Sequence, residues 1–212
     1  MLYLNGPLAI CVMQLDIRTE PVTPESLREH ARISIAFQVD HVFDVTVRHN
    51  GPGEFALTER PLAQPYLKDY DALPDNGPEN WAHRFDVTKW CLLTATCGDR
   101  RVGGAVLAFE TDDIHMLEGR RDLTVLWDLR VAPDMRRSGV GSALFSAAEN
   151  WAQSHGCRQL KVETQNVNVA ACDFYASRGC RLGAIHRFAY SDLPHEVQLL
   201  WYKDLTDTPA IG

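Results

Sequence analysis

The sequence predicts a three-layer α/β domain with a central mixed sheet, and two observations indicate this class. The chain has 212 residues, of which 45% are hydrophobic and 23% charged, so it carries enough apolar material for one well-buried core. Its predicted elements begin with strands and then alternate strand, helix, strand, helix, strand and strand, an order that places helices on the faces of a sheet. We therefore expect one domain at 15–205, preceded by a loosely attached leader at 1–14 and followed by a tail at 206–212.

The domain is expected to open with a strand and a helix. A short strand is predicted at Leu15–Arg18. Thr23 is a suitable N-cap and Pro24 occupies the first helical position, so the helix should begin at Pro24. It should end before Asp40, where the residues become typical of a strand as far as Val47.

A long irregular segment follows a predicted turn at 49–53. Residues 54–80 are rich in proline, aspartate and asparagine and show no firm period, which favours a long loop with some helix on the substrate side. Within it lie Tyr66, Asp69 and Tyr70, whose aromatic and acidic side chains could line the pocket of a cationic substrate.

The rest of the chain alternates clear strand and helix signals. Gly98 and its neighbours separate two β-rich runs and predict a hairpin. Asn168 is a suitable N-cap, and Gly156 and Gly179 are typical helix stops. The predicted elements are strands at 90–97, 101–110 and 123–131, a helix from the glycines to residue 156, a strand at 160–164, a helix at 169–177, and strands at 181–190 and 196–202.

Residues 136–142 read RRSGVGS and join the predicted strand at 123–131 to the helix that follows. A glycine-rich turn at a helix start leaves backbone N–H groups unpaired, and the helix dipole adds partial positive charge that suits a pyrophosphate. A nucleotide P-loop is disfavoured because no glycine precedes a lysine, and a dinucleotide fingerprint because Leu144 stands where it needs a glycine. The candidate anion-binding residues are Arg136, Arg137, Ser138, Gly139, Val140, Gly141 and Ser142.

The loop at 136–142 follows the pattern R/QxxGxG/A, which resembles the acetyl-CoA loop of the GNAT superfamily of N-acetyltransferases. The resemblance implies a mostly antiparallel mixed sheet that splays at a bulged strand, here the strand at 123–131. It also implies acetyl-CoA as the cosubstrate. The backbones of Leu129 and Val131 would then run beside its pantetheine arm and could donate N–H groups to the thioester oxygen.

Tyr175 lies about two helical turns after Asn168, so both side chains can face the same side of their helix. By the same resemblance, Tyr175 would protonate the departing thiolate, and Asn168 would bind the pantetheine or phosphate arm. The alternative is that Tyr175 and Phe174 are packing aromatics and that Asn168 is only a helix cap.

An acceptor amine must lose a proton, because a lysine-like amine has a pKa of about 10.4 and is mostly protonated at neutral pH. Asp128 and Glu163, on strands expected to be neighbours, are the candidate bases, directly or through water. Either carboxylate could instead pair with Arg130, with Lys161 or with a backbone group. Cys172 has no histidine partner identifiable from spacing, which favours direct attack by the amine in a ternary complex over an acyl-enzyme.

Three segments carry a narrower resemblance, namely AQPYLKDY at 63–70, ETQNVNVAACDFY at 163–175 and LWY at 200–202. They are similar to streptothricin acetyltransferases. This resemblance implies acetylation of an amino group on the β-lysine part of a cationic antibiotic, hence antibiotic resistance, and it implies a homodimer. Trp127 stands where members of that family often have a glutamate, and we take it as a further candidate for the substrate side.

Two other functions stay open on the sequence. One keeps acetyl-CoA and takes another small amine, an aminoglycoside or a protein N-terminus as the acceptor. The other is a non-catalytic module that binds acetyl-CoA, in which Tyr175 has only a structural role.

Charge and composition argue against several kinds of partner. The formal net charge is -7 and the basic clusters are pairs of arginines, too short to follow a nucleic-acid backbone. The acidic balance agrees with a cationic small molecule. No apolar stretch reaches the roughly 20 residues of a membrane span, so a cytoplasmic protein is expected. The 6 cysteines include no CxxC pair and the 8 histidines no HExxH, so neither disulfides nor a metal is expected.

Overall fold

A seven-stranded sheet forms the centre of the computed structural model, which describes residues 14–50 and 53–206. In spatial order its strands are β1 (Leu15–Glu20), β4 (Cys91–Cys97), β5 (Arg100–Ala108), β6 (Leu123–Val131), β7 (Gln159–Gln165), β9 (Gln198–Asp204) and β8 (Arg181–His186). Neighbouring strands of this sheet are antiparallel except β6 and β7, which are parallel. The predicted mixed, mostly antiparallel sheet is therefore confirmed. Residues 1–13 of the predicted leader, 207–212 of the predicted tail and 51–52 of the predicted turn lie outside the described residues.

Two helices cover one face of the sheet, α3 (Val140–Ser154) and α4 (Val169–Ser177). The inner side chains of α3, such as Leu144, are fully buried against the strands. α4 begins after its predicted cap Asn168, whose Oδ1 accepts a hydrogen bond from the N–H of Ala171 at 3.2 Å. Both helices lie close to their predicted bounds because glycines and caps mark their ends in the sequence.

Two further helices cover the opposite face, α1 (Pro24–Ala31) and the short α2 (Trp81–Arg84). Thr23 caps α1 as predicted: its Oγ1 accepts a hydrogen bond from the N–H of Ser26 at 3.1 Å, and the Ser26 hydroxyl accepts one from the N–H of Thr23. α1 is shorter than predicted because the chain has already entered a strand at Phe37. With helices on both faces, the predicted three-layer architecture is confirmed.

The segment at 54–80 begins with a long strand, and its prediction as a loop was wrong. β3 (Phe55–Lys68) pairs antiparallel with β2 (Phe37–Val47) in a separate two-stranded sheet. The register of this pairing shifts opposite Asp40. Such a shift accommodates the prolines of β3, which cannot donate ladder hydrogen bonds, and it also removes the two-residue period by which a strand is recognised in sequence.

Asn166 joins the β2–β3 hairpin to the main sheet. Its Nδ2 donates to the carbonyl of Phe43 at 2.9 Å, and its Oδ1 accepts from the N–H of Val197 at 2.7 Å. Its backbone bonds to the same two residues, accepting from the N–H of Phe43 at 2.9 Å and donating to the carbonyl of Val197 at 3.0 Å. One buried side chain therefore holds the hairpin at the end of β7.

The main sheet opens between β6 and β7. The two strands pair only where residues 123–126 lie beside 159–162. At Trp127 the register of β6 against β5 shifts by one residue, which makes Trp127 the extra residue of a β-bulge. Beyond the bulge β6 stays paired with β5 and β7 with β9, so the predicted splay at a bulged strand is confirmed.

We predict that Asn166→Ala lowers the free energy of unfolding by about 2 kcal/mol, because one half-buried N–H and one half-buried carbonyl each lose a hydrogen-bond partner. Chemical denaturation followed by circular dichroism measures the change. Asn150 is exposed on α3, and Asn150→Ala is the control, expected to change stability by less than about 0.5 kcal/mol. Equal stabilities of the two variants would contradict the role assigned to Asn166.

Candidate active site

The glycine-rich loop at 136–142 presents a row of unpaired backbone N–H groups next to the opening of the sheet. Arg137 and Gly139 have positive φ angles of 62° and 94°, which turn the chain sharply into α3. The first helical hydrogen bond runs from the N–H of Ala143 to the carbonyl of Gly139 at 3.0 Å. Within the described chain, the N–H groups from Arg137 to Ser142 have no acceptor, which is the arrangement that binds a pyrophosphate.

The two glycines of this loop, Gly139 and Gly141, are needed for different reasons. Gly139 needs a left-handed backbone, which other residues adopt at a cost. Gly141 is helical, and a Cβ there would lie 3.6 Å from Val131 of β6 and 3.7 Å from Phe174 of α4, ordinary contact distances. Folding therefore does not demand a glycine at 141. Its missing side chain keeps clear the space between β6 and α4, into which the sheet opens.

The two arginines of the loop also differ. Arg136 donates from Nη2 to the carbonyls of Ser34 at 3.1 Å and Ala36 at 2.8 Å, so its guanidinium ties the loop to the segment after α1. Arg137 is exposed and has no partner among the residues described. The positive charge free to meet an anion is thus that of Arg137, together with the end of the α3 dipole.

Tyr175 projects from α4 into the core beside the opening. It is only 7% exposed, and its ring packs against Phe174 and Phe145 with centroids 5.1 and 5.9 Å away. Its hydroxyl has no hydrogen-bond partner in the part of the chain that is described. Burial, and the nearby charge of Asp128, raise the pKa of Tyr175 above its ordinary value, so the phenol stays protonated and can donate.

Asn168, at the start of the same helix, is half-buried. Its Oδ1 is used as the cap of α4. Its Nδ2 has no partner among the described atoms and is free to donate to a ligand. Asn168 can therefore both cap α4 and donate to a ligand, since these two roles use different atoms of its side chain.

Asp128 follows the bulge and lies in a buried polar network. Its Oδ1 is 2.8 Å from Nε2 of His30 on α1, and Arg130 donates to both of its oxygens at 2.9–3.1 Å. Burial alone would raise the pKa of Asp128, but the charge of Arg130 and the hydrogen bond with His30 lower it below its ordinary value. Such a carboxylate holds a proton weakly, and these contacts favour the ion-pair role for Asp128 over the role of base.

Arg130 extends this network to the loop after β3. It is 2% exposed, and its Nη1 and Nη2 donate to the two oxygens of Asp71 at 2.5 and 2.8 Å. Nη1 also donates to the carbonyl of Ile33, just beyond α1, at 3.2 Å. One buried guanidinium thereby connects β6, the segment after α1 and the segment after β3.

Glu163 lies on β7, across the opening from Asp128. Its Oε1 accepts from the hydroxyl of Tyr190 at 2.5 Å and its Oε2 from the amide of Gln198 at 2.6 Å. Lys161, the ion-pair partner considered for it, instead donates to Glu118 at 2.7 Å. Glu163 is thus held by neutral donors. Tyr190 was predicted to lie in a strand, but β8 ends before it and Tyr190 lies in the connection to β9.

Glu196 is a site residue that the sequence did not reveal. It is 6% exposed, its Oε2 accepts from the hydroxyl of Tyr70 at 2.6 Å, and Lys68 forms an ion pair with its Oε1. Burial and the charge of Glu196 also raise the pKa of Tyr66. Of the predicted substrate-side residues, Tyr70 is therefore brought into contact with a buried carboxylate, while Tyr66 is exposed. Glu196 belongs to no motif, and nothing in the chain near it signals its partners.

The other two predicted substrate residues lie elsewhere. Trp127 packs in an aromatic cluster with Phe85, Trp90 and Trp81, at centroid distances of 5.4, 5.4 and 6.3 Å. Asp69 accepts a hydrogen bond from the N–H of Asp71 at 3.1 Å, which shapes the turn after β3. Both contacts give these side chains structural roles, and their direct contact with a substrate stays a prediction.

The described residues also bear on the predictions made for disulfides, covalent catalysis, metal binding and membrane spans. Five cysteines are free thiols, at 91, 97, 157, 172 and 180. Burial raises the pKa of Cys172 to about 11, which makes it a poor nucleophile. Along 14–50 and 53–206 no three His, Cys, Asp or Glu side chains are grouped to hold a metal ion, and each helix there is too short or too polar to cross a membrane.

Comparison with known proteins agrees with this geometry. Residues 56–180 match the model of the acetyltransferase (GNAT) family. Streptothricin acetyltransferase A of Bacillus subtilis (strain 168) is 40% identical over 153 residues, covering 71% of this chain and 80% of that protein. The crystal structure of nourseothricin acetyltransferase shares the fold with a TM-score of 0.69 and 24% identity, over 90% of this chain and 99% of that one. A Bacillus anthracis str. Ames protein solved in complex with acetyl coenzyme A has a TM-score of 0.66 and 23% identity, over 91% and 98%.

We predict that Asp128→Asn lowers the free energy of unfolding by about 2 kcal/mol at pH 7, because it weakens the buried charge-assisted hydrogen bonds to Arg130 and His30 and leaves Asp71 as the one carboxylate described beside Arg130. The pKa of Asp128 is lowered to about 2, so its stabilising effect is present above the unfolded-state pKa of about 3.9 and is lost as the pH falls through the lowered value. The difference between variant and wild type should therefore shrink between about pH 4 and pH 2 in denaturation curves.

The control for this prediction is the pair of Arg100 and Asp134, in which the guanidinium also donates to both carboxylate oxygens, at 2.6 and 2.7 Å, but which lies exposed. Asp134→Asn should leave stability unchanged, because water screens this pair. A pH-independent loss in Asp128→Asn would contradict the ionic origin of its effect.

We predict that Gly141→Ala weakens acetyl-CoA binding about tenfold while unfolding stability stays equal or rises by up to about 1 kcal/mol. The added Cβ makes only ordinary contacts in the protein but enters the space beside the unpaired N–H groups. Isothermal titration calorimetry with acetyl-CoA measures the affinity. Ser146→Ala, on the exposed side of α3, should change neither quantity, and full acetyl-CoA affinity in Gly141→Ala would place the ligand away from this loop.

Proposed function

This chain belongs to the GNAT family of acetyltransferases, whose acetyl donor is acetyl-CoA, and from that premise we propose that it transfers the acetyl group to an amino group of streptothricin. The observation that carries the proposal is the splayed sheet. β6 parts from β7 at the Trp127 bulge, and the unpaired N–H groups at 137–142 and the hydroxyl of Tyr175 lie beside the gap that this leaves. A donor and an acceptor can meet there from opposite sides of the sheet.

The residues at the opening fit acetyl-CoA. When bound, acetyl-CoA supplies the activated acetyl group. The N–H groups of 137–142 and the guanidinium of Arg137 would hold its pyrophosphate. Beyond the bulge, none of the described strands pairs with the edge of β6 at Leu129 and Val131 on the side of β7, which leaves backbone groups there for the pantetheine arm and the acetyl oxygen. The Nδ2 of Asn168 is a further donor toward the same arm.

Tyr175 is the proposed proton donor to the departing sulfur. Its hydroxyl lies beside the opening without a competing hydrogen bond, and its raised pKa keeps the proton in place through the physiological range. Deprotonation of Tyr175 would remove activity only above its ordinary pKa of about 10, since the shift is upward.

Glu163 is the proposed acceptor of the amine proton, directly or through water. Its partners are neutral donors, whereas Asp128 forms an ion pair with Arg130. A carboxylate whose charge is not already paired attracts an ammonium group and can accept a proton from it. Asp128 would then act by holding the bulge and by its charge near Tyr175.

Streptothricin is the proposed acceptor because of the relatives that bear this name and because of the charges at the opening. Glu163 and Glu196 face it from the arm formed by β7 and β9, and Tyr70 and Tyr66 add aromatic surface. Carboxylates and tyrosine rings are the groups that recognise cationic amines. The proposed product is the antibiotic with one amino group of its β-lysine part acetylated, which would confer resistance.

We also propose a cytoplasmic location. The described cysteines are free and mostly buried, which supports a reducing compartment. The homodimer implied by resemblance stays a prediction.

We predict that purified protein with acetyl-CoA adds one acetyl group to streptothricin, seen by mass spectrometry as the gain of a single acetyl mass. Tyr175→Phe should lower kcat about a hundredfold or more, because the proton donor is removed while the ring and its packing remain. Circular dichroism checks that the variant is folded.

The matched control is Tyr202→Phe, which removes a hydroxyl that bonds to Glu118 at 2.8 Å, away from the opening. Its rate should equal that of wild type. Unmodified streptothricin at high enzyme concentration would reject this acceptor. Normal turnover by Tyr175→Phe would reject Tyr175 as the proton donor while leaving the acceptor in place.

A further inference from the structure

The geometry points to a primary-ammonium subsite at Glu196 that the chain fills with its own Lys68, and that a second amino group of the acceptor takes over by displacing Lys68. The part that concerns the acceptor rests on the proposed function. The subsite itself does not, because it is defined by contacts within this chain.

The contacts around the Lys68 ammonium are those of a cation-binding site. Its Nζ forms an ion pair with Oε1 of Glu196 and lies 4.7 Å from the centroid of the Tyr70 ring. The Tyr70 hydroxyl donates to the other oxygen of Glu196 at 2.6 Å and so fixes the carboxylate. A fixed carboxylate beside an aromatic face recognises an alkylammonium group by charge and by the ring quadrupole.

The subsite lies at the opening of the sheet. Lys68 and Tyr70 contact Glu196, just before β9, while Asp71 contacts Arg130 of β6. The short segment from 68 to 71 therefore spans from one separated arm of the sheet to the other. An acceptor that reaches the opening from this face meets Lys68 and Glu196 on its way.

A cavity next to the subsite gives an acceptor room to approach. It has a volume of about 510 Å³ and lies between β2 and the connection from β8 to β9. Tyr190, whose hydroxyl bonds to Glu163, is in its wall, as are His195 and Val197 on either side of Glu196. Residues next to or hydrogen-bonded to both carboxylates thus line the cavity, while the carboxylates themselves lie behind its wall.

Lys68 can be exchanged for another ammonium at little cost. It is the last residue of β3, in the two-stranded sheet, and its side chain is 14% exposed, so its long flexible stem can turn out to solvent. Glu196, with 7% of its side chain exposed, must keep a counter-charge. An incoming ammonium group supplies that positive charge and leaves the hydrogen bond between Tyr70 and Glu196 in place. A neutral group does not supply the charge.

The exchange predicts which acceptors are preferred. One amino group must reach the acetyl group, and a second, still charged, would take the place of Lys68 at Glu196. A β-lysine residue carries two amino groups on one flexible chain, and acceptors with a single amino group lack the second contact. Glu196 is then a specificity-determining residue.

The subsite is tested first without any acceptor. Lys68→Ala removes three methylenes and the ammonium, a gap that n-propylammonium fits, so 10 mM n-propylammonium chloride should raise the melting temperature of Lys68→Ala but not of wild type. The double variant Lys68→Ala/Glu196→Gln should not respond. Sodium chloride and propan-1-ol at the same concentration control for salt and for the apolar chain. Lys89→Ala is the matched variant, since Lys89 pairs with Glu110 on an exposed surface, and it should not respond either.

Displacement of Lys68 is tested on the wild-type protein, which avoids any folding defect of the variants. Lys68 is labelled with an amine-reactive acetyl ester and its peptide is quantified by mass spectrometry. Saturating streptothricin without acetyl-CoA should increase labelling of Lys68 at least threefold, while labelling of Lys89 stays constant. In kinetics, Lys68→Ala should lower the KM for streptothricin at least fivefold, and Glu196→Gln should raise it.

The outcomes separate this inference from the proposed function. A melting temperature of Lys68→Ala that does not respond to n-propylammonium, or that responds equally without Glu196, overturns the subsite. Rescue by n-propylammonium with constant or reduced labelling of Lys68 overturns the displacement. Rescue together with no acetylation of streptothricin by wild type upholds the subsite and rejects the proposed acceptor.

Discussion

The parting of β6 from β7 at the Trp127 bulge is the constraint on which the rest of the site depends. Two strands that separate leave backbone groups without ladder partners, and the gap must be closed by other groups or filled by a ligand. On one face of the sheet, α3 and α4 flank the gap, and the unpaired N–H groups at 137–142 and the Tyr175 hydroxyl lie there. On the other face the segment 68–71 crosses it. The proposed donor and acceptor sides of the site are thus both consequences of a single break in one ladder.

The break is held open by buried charge. Arg130 contacts Asp128, Asp71 and the carbonyl of Ile33, so it fixes the bulged strand to the segments after α1 and β3. Such a network costs desolvation and adds little net stability, but removing Arg130 would leave two carboxylates without their shared cation. The network also bears on which carboxylate can accept a proton from the acceptor amine. A carboxylate neutralised in this way is a weak base, which directs attention to Glu163, whose partners Tyr190 and Gln198 are uncharged.

Charge is arranged unevenly around the opening. The donor side presents N–H groups and Arg137, which suit an anion, while the acceptor side presents Glu163 and Glu196 with tyrosines, which suit a cation. The formal net charge of the chain is -7, and two of its acidic residues, Glu163 and Glu196, lie on the side where an ammonium group would arrive. Lys68 fills part of this surface with an ammonium of its own. The protein thereby avoids a buried, uncompensated carboxylate while no acceptor is present.

Much of the fold and the donor side could be predicted from the sequence, because local signals determine them. The cap at Thr23, the glycines at 139 and 141 and the Asn168 cap each act within a few residues, and they place α1, α3 and α4. On the proposed acceptor side the sequence indicated Tyr66, Tyr70 and Glu163 as candidates, but tertiary structure alone decided the strand β3 and the contacts of Glu196. β3 was missed because the register shift opposite Asp40 removes its period, and Glu196 was missed because its partners Lys68 and Tyr70 are more than a hundred residues away. A buried ion pair depends on which side chains the fold brings together, and no pattern along the chain encodes that distance.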